Sequence, residues 1–349
     1  MAKVKSTSQK KSGRVNIKEV AAHAGVAISS ISRVLSGHPD TSAAMKKRVE
    51  DSVRALGYEA DHVAQSLRKG ATKTIGFMLR DITNPMFSVV AQSCESELRK
   101  AGYSMIYMNS DADMEIEKAN FNLIKRRRVD GVIVSLVSEE ATHVKKMINE
   151  FGAPVVLLDR KVKGLKANRV ICDHETGICE ATLDLIKKGH RRIAFITGKN
   201  VVYSTRARIV GFERAFVESG LPIPRDLMQL GSFNESFAYE KIQEIFNGTM
   251  PATAIITGGV GPATGALRAF KDLKIEPGVD FAFVVLDEWP MFNVISDSFS
   301  SVYRDPDLMG RESARLIVDL LKGKVRSDVV IPTVYRQRAS STENQIALK

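Results

Sequence analysis

Residues 16–37 read NIKEVAAHAGVAISSISRVLSG, and this stretch decides the fold of the amino-terminal part of the chain. Its apolar residues recur at helical intervals, with breaks at Gly25 and at residues 36–39, so the segment from Asn16 to Gly57 predicts three short helices. The core-facing positions of the first two helices are Ile17, Val20, Ala21, Ile31, Val34 and Leu35. The pattern therefore indicates a small all-α module.

The opposite face of the second helix carries the chemistry of this module. The residues on that face are Ile28, Ser29, Ser32 and Arg33. Short hydroxyl side chains and one arginine suit the major groove of DNA, where an arginine reads guanine with two hydrogen bonds. A helical hairpin with a solvated polar face is the alternative interpretation.

Positive charge is concentrated near the same module. The chain of 349 residues has a net charge of +11, and residues 1–70 contain 13 Lys and Arg against 6 Asp and Glu, an excess of 7. Such clustering is expected of a nucleic-acid binder, although basic tails also occur on proteins that bind no nucleic acid. Residues 1–15 are predicted to form a basic, disordered arm.

Cysteine usage and hydropathy indicate the compartment. The three cysteines, Cys94, Cys172 and Cys179, form no disulfide framework, and their odd number favours a reducing environment. The basic amino terminus is followed by no apolar segment, and no apolar run approaches the roughly 18 residues that span a bilayer. We therefore expect a cytoplasmic protein without membrane association.

From about Thr74 onward, short apolar runs alternate with segments of helical spacing. The runs are TIGFML, SMIYM, GVIVSL, APVVLLD, RRIAFITG, ATAIITGG and DFAFVVLD. This alternation predicts βαβ units in two doubly wound lobes with parallel sheets, whose strands are apolar throughout because helices cover both faces.

The amino-terminal module resembles the helix-turn-helix headpiece of the lac repressor (LacI/GalR) family. The family has a small residue, Gly and Val at the turn and a following helix that ends in VSRVL; Ala24, Gly25 and Val26 match the turn, and SSISRVL at residues 29–35 matches the helix with Ile31 in place of the first valine. The similarity continues in the family's order through DITNPMF, RRRVDGVIV, VVLLDR, LIKKGHRRIAFITG, STRARIVGFERAF and VVLDEW, to about residue 335. It implies a DNA-binding transcription regulator, a repressor in most relatives, with a periplasmic-binding-protein-like core.

The resemblance also implies domain boundaries. It places the helix-turn-helix domain at residues 16–60, a hinge helix and linker at 61–72, and an effector-binding and dimerisation domain at 73–340. Within the last domain, the N-lobe comprises about 73–172 and 306–328, and the C-lobe about 173–303 and 329–340.

By the same resemblance, Ile28, Ser29 and Arg33 read bases, and Asn16, Ser30 and Ser32 hold phosphates. One departure is Ala27, because the family usually has Ser where the second helix starts. The missing side-chain cap is worth about 1 kcal/mol.

The hinge segment HVAQSLR is too short to form a stable helix alone, so we expect it to order only on DNA. In the family the hinges of two subunits pair in the minor groove, and here Leu67, beside Arg68, would be wedged between base pairs. Alternatively, Leu67 covers the top of the large domain. Ala60 and Asp61 stand where the family often has Pro-Asn or Pro-Ser, so hinge contacts are expected to differ.

The effector is expected between the lobes, at the carboxyl ends of the strands. The resemblance assigns Phe87 as an aromatic wall, Arg160 and Arg208 as cations, Asp287 as an acceptor of hydroxyl groups, and Trp289 as a stacking surface. Arg208 precedes IVGF, as the family's ligand-binding arginine precedes a small-Gly-aromatic turn. The alternatives are a surface ion pair for Arg208, a helix N-cap for Asp287 and simple packing for Trp289.

Two further features bear on the ligand. Gly258 and Gly259 stand where the family frequently has Asn-Asp, so one polar contact is lost or moved. Arg160, Arg206 and Arg208 would make the cleft positive, which favours an acidic effector such as a sugar acid or sugar phosphate over a neutral sugar.

The expected partners are double-stranded operator DNA, a carbohydrate-derived effector and a second copy in a homodimer, because one helix-turn-helix reads only a half-site. Whether the effector releases DNA or promotes its binding stays open. No cofactor is expected.

Two other classes of protein, an enzyme and a periplasmic sugar-binding protein, are the alternatives to this interpretation. The sequence has no G-x-S-x-G elbow and no G-x-x-x-x-G-K-[ST] loop, which disfavours an enzyme. Cys172, His174 and Cys179 match no common zinc spacing, so no metal is expected. A periplasmic sugar-binding protein would have a signal peptide and no headpiece.

Overall fold

The computed structural model describes residues 15–36, 38–58, 71–140, 142–296 and 298–343. It divides into two units, Met1–Thr72 and Lys73–Lys349. The first unit contains the three predicted helices, α1 (Ile17–Ala24), α2 (Ile28–Leu35) and α3 (Ala43–Leu56).

Local signals fix the start and end of α1. The Asn16 side chain accepts hydrogen bonds from the backbone N–H groups of Lys18 and Glu19, and the Asn16 N–H donates to the Glu19 carboxylate at 2.8 Å, which completes a capping box. Gly25 ends the helix with a φ of 63°, a conformation that favours glycine.

The headpiece core confirms the predicted apolar faces. Val20 and Ile31 are fully buried, and Val49 of α3 completes the centre. Val15 also packs against this core, so the predicted basic arm is at least one residue too long. Residues 1–14 lie outside the described part of the chain.

The second unit contains two six-stranded sheets. The N-lobe sheet is parallel, in the order β11-β5-β4-β3-β1-β2. Its strands are β1 (Thr74–Leu79), β2 (Ser104–Asn109), β3 (Gly131–Val134), β4 (Val155–Leu158), β5 (Asn168–Cys172) and β11 (Val329–Ile331).

The C-lobe sheet has the order β12-β10-β9-β8-β6-β7, and only the β10–β12 pair is antiparallel. Its strands are β6 (Ile193–Gly198), β7 (Met228–Gly231), β8 (Ala254–Thr257), β9 (Ala282–Leu286), β10 (Ser300–Arg304) and β12 (Thr333–Arg336). The two sheets confirm the predicted pair of doubly wound lobes.

Helices cover both faces of each sheet. The N-lobe helices are α4 (Pro85–Lys100), α5 (Met114–Arg126), α6 (Thr142–Asn149) and α12 (Pro306–Leu321). The C-lobe helices are α7 (His174–Lys187), α8 (Tyr203–Glu218), α9 (Glu235–Asn247), α10 (Val260–Leu273) and α11 (Pro290–Ile295). In the N-lobe, Phe77 of β1 packs with α4 and α12, whereas Met78 faces α5 and α6.

One predicted boundary is wrong. Residues 329–331 were assigned to the C-lobe, but β11 pairs with β5 in the N-lobe sheet. The chain crosses between lobes at Pro332, which separates β11 from β12 by a single residue without an N–H group. Two short strands divided by one proline look like one apolar segment in the sequence.

Candidate effector cleft and DNA-reading helix

The outward face of α2 presents the residues predicted to contact DNA. Ser29 and Arg33 are exposed, Ile28 is 39% exposed, and Ser30 and Ser32 are half-buried. Leu67 and Arg68 lie outside the described residues.

The predicted departure at the start of α2 is present in the structure. Ala27 occupies the N-cap position with extended backbone angles, and no side chain caps the helix. By contrast, the Asn16 amide oxygen is engaged in capping α1, so a phosphate contact from Asn16 would use its amide nitrogen.

A cavity of about 370 Å³ lies at the carboxyl ends of the strands of both lobes. The five predicted effector residues all line it, and these are Phe87, Arg160, Arg208, Asp287 and Trp289. Its volume falls within the usual range for pockets that hold small molecules.

A network of buried charges forms the floor of this cleft, with Arg304 at its centre. Arg304 ends β10, and its Nε and Nη2 donate to the two carboxylate oxygens of Asp287 at 2.6 and 3.0 Å. Its Nη1 donates to Asp159, which follows β4 of the N-lobe, at 2.8 Å. Asp159 and Asp287 both have positive φ angles, 53° and 72°, in a region that residues other than glycine rarely occupy. The network thus joins the two lobes.

His174 extends the network toward Arg208. The Arg208 Nε lies 3.4 Å from His174 Nδ1, and His174 Nε2 lies 2.9 Å from Asp159. Because a guanidinium group can only donate, Nδ1 is the acceptor and Nε2 carries the proton. Burial lowers the pKa of His174 to about 4, so the ring is neutral at pH 7.

Asp159 and Arg304 keep their charges because each is paired with groups that favour the charged form. Burial opposes the ionised form of Asp159, but His174 and Arg304 outweigh it and hold the pKa of Asp159 well below its usual value. Burial also opposes the charge on Arg304, yet Asp287 and Asp159 raise its pKa.

Arg208 is 3% exposed, and its Nη1 donates to the Gly258 carbonyl at 2.8 Å. The alternative of a surface ion pair is therefore wrong. The IVGF segment is also no turn, because it lies within α8. Gly211 is required there by the close approach of α7, since a Cβ would lie 2.3 Å from the Glu175 carbonyl oxygen.

The N-cap alternative for Asp287 is wrong, whereas Trp289 both packs, as its alternative proposes, and lines the cleft. Trp289, not Asp287, occupies the N-cap position of α11. Both Asp287 oxygens accept hydrogen bonds from Arg304, so the main contact of this carboxylate holds Arg304 in position. A ligand hydroxyl group would have to share these oxygens with Arg304. Trp289 lines the cleft and also packs edge-on against Phe292, with ring centroids 5.6 Å apart.

Arg206 does not line the cleft, contrary to the expectation that it adds to its positive charge. It pairs with Glu139, a buried carboxylate of the N-lobe, and lies 3.9 Å from Glu140. Glu139 also accepts from the Tyr203 N–H at 2.7 Å, at the start of α8, whose own N-cap residue Val202 provides no side-chain cap. The N-lobe thus caps the helix that carries Arg208.

The lining residues that sequence reasoning missed include Arg80, Asp159, Phe233 and Arg304. Arg80, Asp159 and Arg304 stand at or after strand carboxyl ends, which is a signal the sequence offers. Phe233 follows the short strand β7, which the apolar pattern does not mark.

Three buried side chains have the composition of a metal site. The ligand atoms of Asp159, Cys172 and His174 lie within 4.8 Å of one another. However, Arg304 and Arg208 already contact Asp159 and His174, and two positive charges at these positions oppose a cation. Cys179 is not part of this group.

A helix-turn-helix with an exposed polar recognition face, followed by two lobes around a charged cleft, defines a DNA-binding regulator with a ligand-binding core. Residues 16–61 match the family of bacterial regulatory proteins, lacI family. Residues 72–339 match the periplasmic binding proteins and sugar binding domain of the LacI family. The chain belongs to the LacI family.

Individual relatives are transcription regulators, and they match this chain over most of their length. The transcriptional regulator RegA of Clostridium saccharobutylicum is 32% identical over 310 residues, which cover 88% of this chain and 93% of RegA. The ribose operon repressor of Escherichia coli K12 is 26% identical over 93% of this chain and 96% of its own.

Among solved structures, the lac repressor dimer bound to operator and an anti-inducer has a TM-score of 0.81, with 22% identity over 95% of this chain and all of that one. A LacI-family regulator of Enterococcus faecium with bound ribose has a TM-score of 0.69 and 25% identity, over 77% of this chain and 99% of that one. These similar proteins are transcription regulators and not enzymes. None of the described helices of the present chain is sufficiently long and apolar to traverse a membrane.

Proposed function

We propose that the chain is a homodimeric transcriptional repressor whose affinity for operator DNA is controlled by a carbohydrate-derived effector in the cleft. The observation that carries this proposal is the floor network of Asp159, His174, Arg208, Asp287 and Arg304. It places ligand-facing groups and inter-lobe contacts in one hydrogen-bonded set. A ligand that moves the groups lining the cleft therefore also changes the contacts between the lobes.

The roles in DNA binding follow the exposed face of α2. Arg33, Ser29 and Ile28 read bases, and Asn16, Ser30 and Ser32 contact phosphates. Leu67 and Arg68 belong to a hinge that two subunits order together in the minor groove. A regulator of this kind acts in the cytoplasm, where the operator is, and binds its effector without converting it.

Support for an effector of sugar size comes from the cavity and its polar rim. Asp81, Asn84, Asn234 and Thr264 line the same cavity and offer both donors and acceptors to hydroxyl groups. Phe87 and Trp289 offer apolar and aromatic surface. Mixed linings of this type suit the hydroxyl and C–H faces of a sugar.

The test begins with the purified full chain and a pool of genomic DNA fragments, from which bound fragments are selected and footprinted. We expect protection of a near-palindromic site, with an affinity of about 10⁻⁸–10⁻¹¹ M that falls steeply as salt rises. Sugars and sugar derivatives are then added, and one class is expected to change operator affinity. Uniform binding to all DNA sequences, or affinity that no salt concentration alters, would contradict the proposal.

A further inference from the structure

The floor of the cleft carries one positive charge more than its acids neutralise. Five charged side chains that line the cavity are almost fully buried, with exposures of 5% or less: Asp159, Arg160, Arg208, Asp287 and Arg304. Three guanidinium groups thus face two carboxylates. His174, the adjacent titratable group, is neutral at pH 7.

Both carboxylates are engaged by a single arginine. Arg304 binds Asp287 with two hydrogen bonds and Asp159 with one. The positive charges of Arg160 and Arg208 are therefore left with weaker compensation.

The hydrogen-bond partners of these two arginines are uncharged. Arg160 donates to the carbonyl oxygens of Leu136 and Asp159 at 2.6 and 2.7 Å. Arg208 donates to the Gly258 carbonyl and to the neutral His174 ring. A buried charge whose hydrogen bonds go only to neutral groups is costly, and an anion in the cleft relieves that cost.

A third arginine, Arg80 of the N-lobe, contacts the same aromatic ring as Arg208. The guanidinium carbon of Arg80 lies 5.1 Å from the centroid of the Phe233 ring, and that of Arg208 lies 5.6 Å from the same centroid. One aromatic ring of the C-lobe thus contacts cations of both lobes. This arrangement brings the two guanidinium groups to the same part of the cavity.

The remaining acids of the lining do not cancel this excess. Glu235 pairs with Arg268 at 3.1 Å. The Asp81 carboxylate accepts from the Thr83 N–H and hydroxyl groups, at 2.8 and 2.6 Å, and offsets at most its neighbour Arg80.

The protonation equilibria agree with the contact geometry. Burial lowers the pKa of Arg80, Arg160 and Arg208, the last to about 10. The pKa of Arg304, which has two acid partners, is raised instead. Among the described residues, the three arginines with lowered pKa values form no salt bridge, and nearby carboxylates such as Asp81 beside Arg80 and Asp159 beside Arg160 compensate them only in part.

The amino terminus of α10 adds partial positive charge at the same cavity. Gly258, Gly259 and Val260 line the cleft, and no side chain caps this 14-residue helix. Side chains are excluded at Gly258, because a Cβ would lie 2.2 Å from Thr197 Oγ1. Helix amino termini of this kind favour anions.

We propose that the effector is a sugar acid, and that Arg80, Arg160 and Arg208 hold its carboxylate. This inference rests on the proposed function, because it specifies the ligand of the same cleft. One carboxylate matches the single excess charge, whereas a phosphate monoester carries −1.5 to −2 at pH 7. The planar forks of arginine also match the two oxygens of a carboxylate.

The test is calorimetry on the full chain with matched trios of probes. Each trio contains an aldose, the corresponding aldonate and the corresponding 6-phosphate, in the D-gluco, D-galacto and D-manno series. We expect at least one aldonate to bind ten or more times tighter than both other members of its trio. The variant Arg80→Gln is expected to reduce that preference to threefold or less, whereas Arg126→Gln, an exposed arginine on α5, preserves it.

Three outcomes overturn the sugar-acid inference: a neutral aldose that binds as tightly as its aldonate, a phosphate that binds more tightly, or no binding by any probe. A parallel measurement of operator binding distinguishes failure of the sugar-acid inference from failure of the proposed function. If a neutral sugar binds and changes operator affinity, the proposed function stands and only the carboxylate is rejected. If the full chain binds no specific DNA sequence, the proposed function is rejected whatever calorimetry shows.

Discussion

Asp159 and Arg304 form a buried ion pair, with 2.8 Å between Oδ2 and Nη1, that joins the N-lobe to the C-lobe at the floor of the cleft. Asp159 follows a strand of the first sheet, and Arg304 ends a strand of the second, immediately before the chain crosses back into α12. A change in lobe orientation must therefore strain or break this pair.

The first prediction concerns that pair. Asp159→Asn leaves Arg304 with one acid partner and removes the charge that faces His174. We expect the free energy of unfolding of the large domain to fall by about 3–5 kcal/mol in urea titrations, because a buried charge loses its partner. Glu244→Gln, which breaks the exposed pair with Lys241, is the control and should cost at most about 1 kcal/mol. Equal effects of the two substitutions would contradict the proposed role of the floor network.

The second prediction is a pH dependence due to Glu117. This carboxylate of α5 is fully buried, and one of its oxygens accepts from the Val137 N–H at 2.7 Å. Its other oxygen has no partner among the described residues. Burial raises the pKa of Glu117 from 4.5 to about 7, despite the Val137 hydrogen bond and the charge of Arg160.

Because the folded state holds this proton more tightly than the unfolded state, stability is greatest below pH 4.5 for this group and is lost as pH rises through 7. Glu117→Gln removes this titration, so the unmodified chain loses stability between pH 5 and pH 8 and the variant does not. The unfolding free energy of the variant minus that of the unmodified chain should therefore increase by about 2 kcal/mol over this range. Chemical denaturation at both pH values measures this difference. Glu115→Gln, an exposed position on the same helix, should show no such trend.

The third prediction concerns the missing cap of α2. Ala27 already has the extended backbone angles of an N-cap residue, φ −67° and ψ 151°. Ala27→Ser should stabilise the headpiece by about 1 kcal/mol, since a hydroxyl can accept from the first turn. Asn16→Ala removes an existing cap and should destabilise it by a similar amount. Headpiece melting followed by circular dichroism tests both, and the same direction of change in the two variants would refute the capping argument.

The fourth prediction concerns base reading by Arg33. Arg33→Ala should weaken operator binding by about 1–3 kcal/mol per half-site and relax the base preference at one position of each half-site. Binding to random DNA should change little. Competition assays with single-base operator variants provide the measurement, and Arg126→Gln, in the large domain, serves as the control. An unchanged ranking of the operator variants would show that Arg33 reads no base.

The fifth prediction concerns the hinge. Leu67→Ala should weaken operator binding and reduce the bend of the bound DNA, because the apolar wedge is lost. Effector affinity measured without DNA should be unaffected. Operator affinity and bending equal to those of the unmodified chain would mean that Leu67 is no wedge.

The arrangement of helices and parallel strands could be predicted from local patterns. The headpiece follows from apolar spacing and from Gly25, and the main strands follow from their uninterrupted apolar runs. The C-terminal strands were harder, because β11 and β12 are only three and four residues long and belong to different sheets. Their separation depends on which neighbours they pair with.

The five effector positions named from the sequence line the cavity, but the sequence indicated neither their contacts nor most of the other lining residues. Arg208 lies in the cavity as expected, but it is buried within α8 and has no acid partner among the described residues. Arg206, two residues earlier, is turned toward Glu139 of the other lobe. Residues two apart on a helix face different sides, so the helical assignment of the IVGF segment was needed to separate them.

The sequence by itself determined the class of protein, because helical spacing, turn glycines and apolar strand runs are local properties that require no knowledge of distant contacts. It also placed arginines near the cleft. Only the tertiary structure decided how their charges balance, since Asp159, His174 and Arg304 are separated by up to 145 positions and meet only when the two lobes assemble. Electrostatic compensation depends on distance in space, and this is why the single uncompensated charge, on which the choice of a carboxylate rests, emerges from the fold.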